Sequence, residues 1–158
     1  MPMTYDFPRT KDHLNQIIAD LSQIMVNVHQ THWYMRGPEF FKLHPKMDEF
    51  MAAFDDQLDQ TAERLIAIGG SPYSTVAEFT AHTGLPEEVV TFGQYALPDY
   101  MHRLVKQFEY LRDVYQTGIE ITDDEKDFST QDMLIAFKTD VDKDIWMIKA
   151  FLDQGPLD

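Results

Sequence analysis

The sequence contains no cysteine among its 158 residues. This absence excludes disulfide bonds, metal sites built from thiolates and catalysis by a thiol nucleophile. The sequence also lacks a run of about 18 apolar residues, which a membrane-spanning helix requires. Its first residues, MPMTYDFPRTKDH, contain no apolar core of the kind found in secretion signals. We therefore expect a cytoplasmic protein that does not insert into a membrane.

Basic residues are scarce. Lysine and arginine total 13, aspartate and glutamate total 27, and the formal net charge is −14. Such a charge repels nucleic acids and anionic lipids and attracts cations. In the first twelve residues Arg9 and Lys11 are balanced by Asp6 and Asp12, and the last residues, DQGPLD, are acidic. DNA is therefore disfavoured as a partner.

Apolar residues recur at gaps of three and four along most of the chain, which is the helical period; the alternation typical of strands is absent. The four apolar stripes begin at Leu14, Met47, Met101 and Leu134. The length suits one domain with a full core, and we assign residues 1–158 to it. The pattern predicts an all-α, four-helix bundle.

Turn-forming residues divide these helices. Gly37-Pro38 separates the first helix from the second, and 69-GGSP-72 ends the second. Gly118 and the run 122-TDDEKD-127 are predicted to separate the third helix from the fourth. Ser129, followed by Asp132 three residues later, is interpreted as a capping box that opens the fourth helix.

The connection between the second and third helices is long, about residues 69 to 93. A structureless loop of that length is unusual inside a domain. The stretch 75-TVAEFTAH-82 is predicted to form a short extra helix within it. A long middle crossover favours a ferritin-like bundle over a simple up-and-down bundle.

Two histidines flank the first turn. His32 and His44 each lie six residues from Pro38, so an antiparallel hairpin places them at about the same height. Asp48 follows His44 by four residues and shares its helix face. We expect these three side chains to converge. Imidazole and carboxylate ligands suit iron, zinc or manganese and disfavour calcium.

Two further acids lie on the same face of the second helix. At about 100° per residue, positions 44, 48, 59 and 63 fall at about 0°, 40°, 60° and 100°. Asp48 and Asp59 are nevertheless separated by roughly 16 Å along the axis at 1.5 Å per residue. Metal–ligand bonds are about 2 Å long, so one metal ion cannot join both acids within one chain.

A second copy of the chain removes this gap. Antiparallel packing of two second helices about a two-fold axis near Ala53 and Phe54 brings His44 and Asp48 opposite the partner's Asp59 and Glu63. The symmetry generates two equivalent sites. The small pair Ala52-Ala53 would permit close approach at the axis.

Other interpretations remain open. Each histidine alone fits a core residue, and each acid alone fits a solvated surface. A di-iron site inside one bundle requires Glu-x-x-His on two helices. The sequence contains no Glu-x-x-His, and its nearest variant, 99-DYMH-102, has no second partner.

With these residues in place, the sequence resembles the Dps family, or mini-ferritins, and within it the peroxide-resistance proteins. The resemblance covers essentially the whole chain and rests on the spacing of His32, His44, Asp48, Asp59 and Glu63. Four segments around these residues also look like the family: 31-THWYMRGPEFFKLH-44, 59-DQTAERL-65, 69-GGSP-72 and 144-DIWMIKAFL-152.

The resemblance implies a homo-dodecameric shell and a ferroxidase activity. His32, His44 and Asp48 of one subunit, with Asp59 and Glu63 of its neighbour, would bind ferrous iron. Hydrogen peroxide would be the preferred oxidant, and ferric mineral would be stored inside, protecting against oxidative stress. Zn²⁺ or Mn²⁺ could occupy the same site.

The resemblance also marks residues around the site. Trp33 and Trp146 correspond to tryptophans near the centre, where they either pack the core or intercept oxidising equivalents. Asp123, Asp127 and Asp132 are candidates for an acidic three-fold pore, although an acidic run is also typical of a solvated loop. Asp124 and Glu125 are the alternative exterior residues of this run.

The alternative function is non-specific DNA binding and compaction. Members of the family that bind DNA typically use a flexible tail rich in lysine and arginine. Neither end of this sequence carries such a tail.

Overall fold

The computed structural model describes all 158 residues and contains five helices and no strands. They are α1 (Pro8–Tyr34), α2 (Phe40–Ala67), α3 (Val76–His82), α4 (Leu97–Glu125) and α5 (Phe128–Phe151). The predicted all-α, ferritin-like fold is confirmed, and so is the short helix in the crossover. Thr75 caps α3, because its side chain accepts a hydrogen bond from the Glu78 N–H at 3.2 Å. No helix has a continuous apolar stretch sufficient to span a bilayer.

The four long helices pack around one core. α1 packs against α2 and α4 against α5, while contacts between α1 and α4 join the two pairs. The core is a cluster of 27 buried apolar residues drawn from all four helices, with Leu85 added by the crossover. Burying this apolar surface supplies the main driving force for folding.

A buried carboxylate holds the crossover against the bundle. Asp20 on α1 is fully buried and accepts hydrogen bonds from Thr83 Oγ1 at 2.8 Å and the Gly84 N–H at 2.9 Å. It also accepts one from the Tyr110 hydroxyl of α4 at 3.0 Å. A buried charge is tolerated when its lone pairs are satisfied in this way. Burial, together with Asp20, raises the pKa of Tyr110.

The junction between α4 and α5 differs from its prediction. Ser129 is not the capping residue; Asp127 is, and its carboxylate accepts a hydrogen bond from the Thr130 N–H at 3.1 Å. Only two residues separate the helices, because α4 continues through most of the acidic run to Glu125. Lys126 ends α4 in the left-handed conformation, with φ of 64°.

Gly118 does not break a helix, contrary to the prediction. It lies inside α4, where the absence of a side chain leaves room for His13 of α1 and Leu134 of α5. A Cβ atom at this position would lie 2.7 Å from Leu134 Cδ1 and 2.9 Å from His13 Cδ2. His13 is itself held in place, since its Nε2 donates to the Val114 carbonyl at 2.7 Å. The glycine is therefore a packing residue.

We expect Gly118→Ala to destabilise the protein. A glycine-to-alanine change inside a helix normally stabilises it by about 0.5–1 kcal/mol. Overpacking costs about 1–3 kcal/mol, and we expect it to dominate because the hydrogen-bonded His13 cannot move away. Urea unfolding monitored by circular dichroism measures the difference. Thr117→Ala, at the exposed neighbouring position, is the control and should change little. A stabilised Gly118→Ala protein would contradict this packing role.

Candidate metal centre

His32 and His44 form a reciprocal pair across the α1–α2 hairpin. His32 Nδ1 donates to the His44 carbonyl at 2.7 Å, and His44 Nδ1 donates to the His32 carbonyl at 2.8 Å. A carbonyl only accepts, so each Nδ1 carries the proton. The rings stack, with centroids 3.6 Å apart and planes 10° apart. Each Nε2 is consequently left with a lone pair that can bind a metal ion.

The position of His32 at the end of α1 explains why its carbonyl accepts a hydrogen bond from the His44 ring. The last carbonyls of a helix have no partner within the helix and carry its partial negative charge. His32 lies in the last turn of α1, and the His44 ring satisfies its carbonyl. The turn between the helices is short, running from Met35 to Glu39, and this brings the two histidines level.

Asp48 completes the convergence that the spacing predicts. One oxygen of its carboxylate lies 3.6 Å from His32 Nε2. His32 is 8% exposed, while Asp48 is exposed to solvent. The three side chains meet at the surface of the α1–α2 pair, with an open side facing outward.

Asp59 and Glu63 do not reach this cluster within the chain. Both lie further along α2, and both are exposed. No group of three or more histidine, aspartate or glutamate side chains within the chain has a geometry that could hold a metal ion. The segment 99-DYMH-102, the nearest variant of Glu-x-x-His, does not form such a group either. Its Asp99 accepts a hydrogen bond from the Ala96 N–H at the start of α4. The two groups of predicted ligands are therefore separated within one chain.

The predicted contact at a two-fold axis needs one correction. Phe54 is 1% exposed and lies in the core, so it cannot touch a second copy at an axis. Ala52 is exposed and lies at about 80° from His44 on the helical wheel, within the arc spanned by the one histidine and three acids predicted as α2 ligands. Ala52 is thus the small residue available at that level.

Both tryptophans lie on the surface of the chain. Trp33 is 64% exposed and Trp146 is 50% exposed, so the core-packing interpretation is wrong for the single chain. Trp33 stacks on His29, with centroids 4.8 Å and planes 12° apart. The spacing of four residues between His29 and Trp33 is a signal in the sequence that could have indicated this contact.

The acidic run around the α4–α5 junction divides into two groups. Asp127 is 2% exposed and pairs with Arg64 of α2 at 2.9 Å while it caps α5, so its assignment to a pore is replaced by a structural role. Glu125 Oε1 accepts a hydrogen bond from the Thr10 N–H at 2.6 Å, at the start of α1. Asp123 and Asp132 are exposed, with carboxylates free of such contacts.

Comparisons with known proteins agree on one family. The family model of the ferritin-like domain matches residues 11–157. The DNA protection during starvation protein of Listeria monocytogenes is 51% identical over 94% of this chain and 95% of its own length. Its namesake from Streptococcus suis is 42% identical over 93% of this chain and 85% of its own length.

Solved structures show the same similarity. The crystal structure of Dps from Listeria monocytogenes has a TM-score of 0.92 and 51% identity, covering 94% of this chain and 96% of that one. Dps from Listeria innocua, soaked with cobalt, has a TM-score of 0.93 and 48% identity, covering 99% and 100%. The chain therefore belongs to the Dps family of ferritin-like proteins.

Proposed function

We propose that this protein is a ferroxidase and iron store that protects against oxidative stress. The observation that carries the proposal is the reciprocal bonding of His32 and His44, which leaves two Nε2 lone pairs beside Asp48. Imidazole nitrogen and carboxylate oxygen are ligands that suit ferrous iron, and also zinc and manganese. The related Listeria innocua protein has been soaked with zinc and with cobalt, which supports a site for divalent metals.

The substrate would be ferrous iron and the preferred oxidant hydrogen peroxide. Two ferrous ions each give up one electron, the O–O bond of one peroxide breaks, and two protons complete two water molecules. Ferric iron then leaves the site as mineral. Because both ferrous iron and peroxide are consumed together, the reaction removes the two reagents that generate hydroxyl radicals.

The site requires two copies of the chain. With the axis crossing α2 between positions 53 and 54, His32, His44 and Asp48 of one copy face Asp59 and Glu63 of the other. This isologous contact yields two sites per pair of subunits. We propose that six such pairs close into a dodecamer of about 220 kDa, which is twelve times 18.4 kDa.

An acidic pore would supply the iron. Asp123 and Asp132 remain as its candidates, since both carboxylates are exposed near the α4–α5 junction. Repetition about a three-fold axis would place several carboxylates around one opening. Such a ring attracts cations and raises their local concentration.

DNA binding is the second candidate function, suggested by the names of the relatives. The charge of this chain opposes it, with −14 per subunit. Lys149, near the C-terminus, is held by Glu109 at 2.9 Å and by the Asp158 carbonyl at 2.9 Å. Residues 153–158 contain no lysine or arginine, and the carbonyls of Pro156 and Asp158 accept hydrogen bonds from Lys149 of α5.

Replacing both acids, Asp59→Ala with Glu63→Ala, should abolish rapid oxidation of ferrous iron by stoichiometric peroxide. The change removes the partner's ligands and leaves the histidine pair intact. Stopped-flow absorbance of ferric iron measures the rate, and we expect at least a tenfold loss. Size-exclusion chromatography confirms that the shell is retained.

The matched control removes two exposed acids from α4, Asp113→Ala with Glu120→Ala, and changes the net charge equally. It should keep the rate of the unaltered protein. Equal rates in all three proteins would show that these five residues are not the oxidation site.

Neutralising the proposed pore, Asp123→Asn with Asp132→Asn, should slow iron uptake several-fold. The reason is the loss of negative potential at the opening. The rate of mineral formation at low ionic strength measures iron uptake. The difference from the unaltered protein should become smaller as added salt screens the electrostatic field. Asp113→Asn with Glu120→Gln is the control for charge alone. A salt-independent defect would argue against electrostatic guidance.

The protein should not retard supercoiled DNA in a gel-shift assay at neutral pH. Phosphate binding needs clustered lysine or arginine, and a shell of these subunits carries a strong negative charge. A retained band that disappears as salt is raised would instead support the DNA-binding candidate.

A further inference from the structure

A cavity of about 210 Å³ opens between the start of α2 and the end of α5. Its apolar walls include Leu43 and Phe50 of α2, Met101 of α4 and Ile148 of α5. An engineered apolar cavity of about 150 Å³ in another protein stays dry and binds benzene. The cavity of this protein is therefore large enough to hold a small apolar group.

The floor of the cavity belongs to the packed core, and its mouth is adaptable. Met47 is fully buried, and the Phe50 ring packs edge-on against Phe108 with centroids 5.1 Å apart. Two side chains of α5 line the mouth, where Met147 is 40% exposed and Phe151 is 38% exposed. A methionine side chain is unbranched and flexible, so it can adjust to the shape of an apolar ligand.

Two lysines line the cavity, and no acidic residue does. Lys42 and Lys46 lie one turn apart on α2. The Nζ atom of Lys46 lies over the Phe50 ring, 5.2 Å from its centroid, which holds the ammonium group beside the apolar wall. The chain has 27 acidic and 13 basic residues, so the cavity is opposite in charge to the protein as a whole. Such a cavity attracts an anionic group.

Each of these lysines has one acidic neighbour at the surface. Lys42 pairs with Glu39 at 3.4 Å, and Lys46 pairs with Glu49 at 2.8 Å. Ion pairs of this kind, open to solvent, contribute little to stability. An ammonium group has three N–H donors, so each lysine can also donate to a ligand. Both lysines are therefore available at the mouth of the cavity.

The cavity is separate from the candidate metal centre. Lys42 and Lys46 each lie about 160° from His44 on the helical wheel of α2, whereas the three predicted acidic ligands of this helix lie within about 100° of it. None of the five predicted metal ligands lines the cavity. A molecule bound there would therefore not contact the histidine pair.

We infer that this cavity binds a small anionic amphiphile, a carboxylate that carries an alkyl chain of medium length. The alkyl chain lies among Met47, Met101 and Phe151, and the carboxylate accepts hydrogen bonds from Lys42 and Lys46. Burial of the alkyl chain supplies the main free energy of binding, and the two ammonium groups orient the molecule. This ligand site is additional to the proposed ferroxidase and does not depend on it.

Titration of the assembled protein with octanoate, followed by isothermal calorimetry, tests the inference. We expect saturable binding at one site per subunit. Each methylene added between butanoate and octanoate should tighten binding about fourfold, because it buries further apolar surface. The gain should stop at longer chains, since the cavity has a limited volume. Octylamine has a similar chain and a positive charge, so it should bind more weakly.

Removing the two ammonium groups tests the position of the carboxylate. Lys42→Gln with Lys46→Gln should weaken octanoate binding about threefold to tenfold, as expected for two partly solvated ion pairs. The difference should become smaller as added salt screens the charges. Lys106→Gln with Lys138→Gln is the matched control, because it removes the same charge from α4 and α5 outside the cavity. This control should bind octanoate as tightly as the unaltered protein.

Filling the mouth of the cavity tests the position of the alkyl chain. Met147→Trp introduces an indole at a partly exposed position, so it should block the cavity without disturbing the core. Octanoate binding should then be lost. Ile135→Trp adds the same group at an exposed position of α5 outside the cavity and should leave binding unchanged. Size-exclusion chromatography confirms that each variant keeps the size of the unaltered protein.

Any of three results would overturn the inference. One is the absence of saturable octanoate binding to the assembled protein, as would occur if the exposed Phe41 of a neighbouring copy filled the cavity. Another is equal binding by the Met147→Trp and Ile135→Trp proteins, which would show that octanoate attaches elsewhere. The third is octylamine that binds as tightly as octanoate, or equal affinity in the two lysine variants, since either would remove the role of the ammonium groups.

Discussion

The reciprocal hydrogen bonds between His32 and His44 are the contact on which the rest of the site depends. Two side chains satisfy two backbone carbonyls, and one of these carbonyls ends α1. The same bonds set the tautomer and the plane of each ring, so the Nε2 atoms point away from the hairpin with their lone pairs free. A histidine oriented by the backbone is a stiffer ligand than one oriented only by packing. The turn between α1 and α2 therefore shapes the candidate metal site.

The chain by itself carries only part of the proposed chemistry. Within one copy, the histidine pair and Asp48 lie at one level of α2, while Asp59 and Glu63 lie near its other end. In the proposed assembly, complete ligand sets would arise where two copies pack antiparallel. Assembly and catalysis would thus rest on one surface, so loss of that contact should remove both.

The role of each acidic residue depends on whether its carboxylate is buried or exposed. Asp20 and Asp127 are buried and hold elements together, the first through the crossover and the second through Arg64 and the start of α5. Asp123 and Asp132 stay exposed with carboxylates free to meet cations. The acids around the α4–α5 junction thus include one structural residue, Asp127, and the two candidates for the proposed pore. The residues that surround each acid in the folded chain distinguish the two groups, and Arg64 does so for Asp127.

Sequence alone determined the helices, the hairpin and the convergence of His32, His44 and Asp48. These features depend on local periodicity, turn residues and spacing, which residues near in sequence control directly. The tertiary structure decided what depends on distant neighbours. From the sequence, Gly118 is predicted to break a helix, whereas the structure shows that His13 and Leu134 pack closely against it. Asp127 is predicted to line a pore, but in the structure it pairs with Arg64. Phe54 is predicted to lie at the two-fold axis, but in the structure it is buried in the core. Burial is a property of the packed bundle, and no short window of sequence contains it.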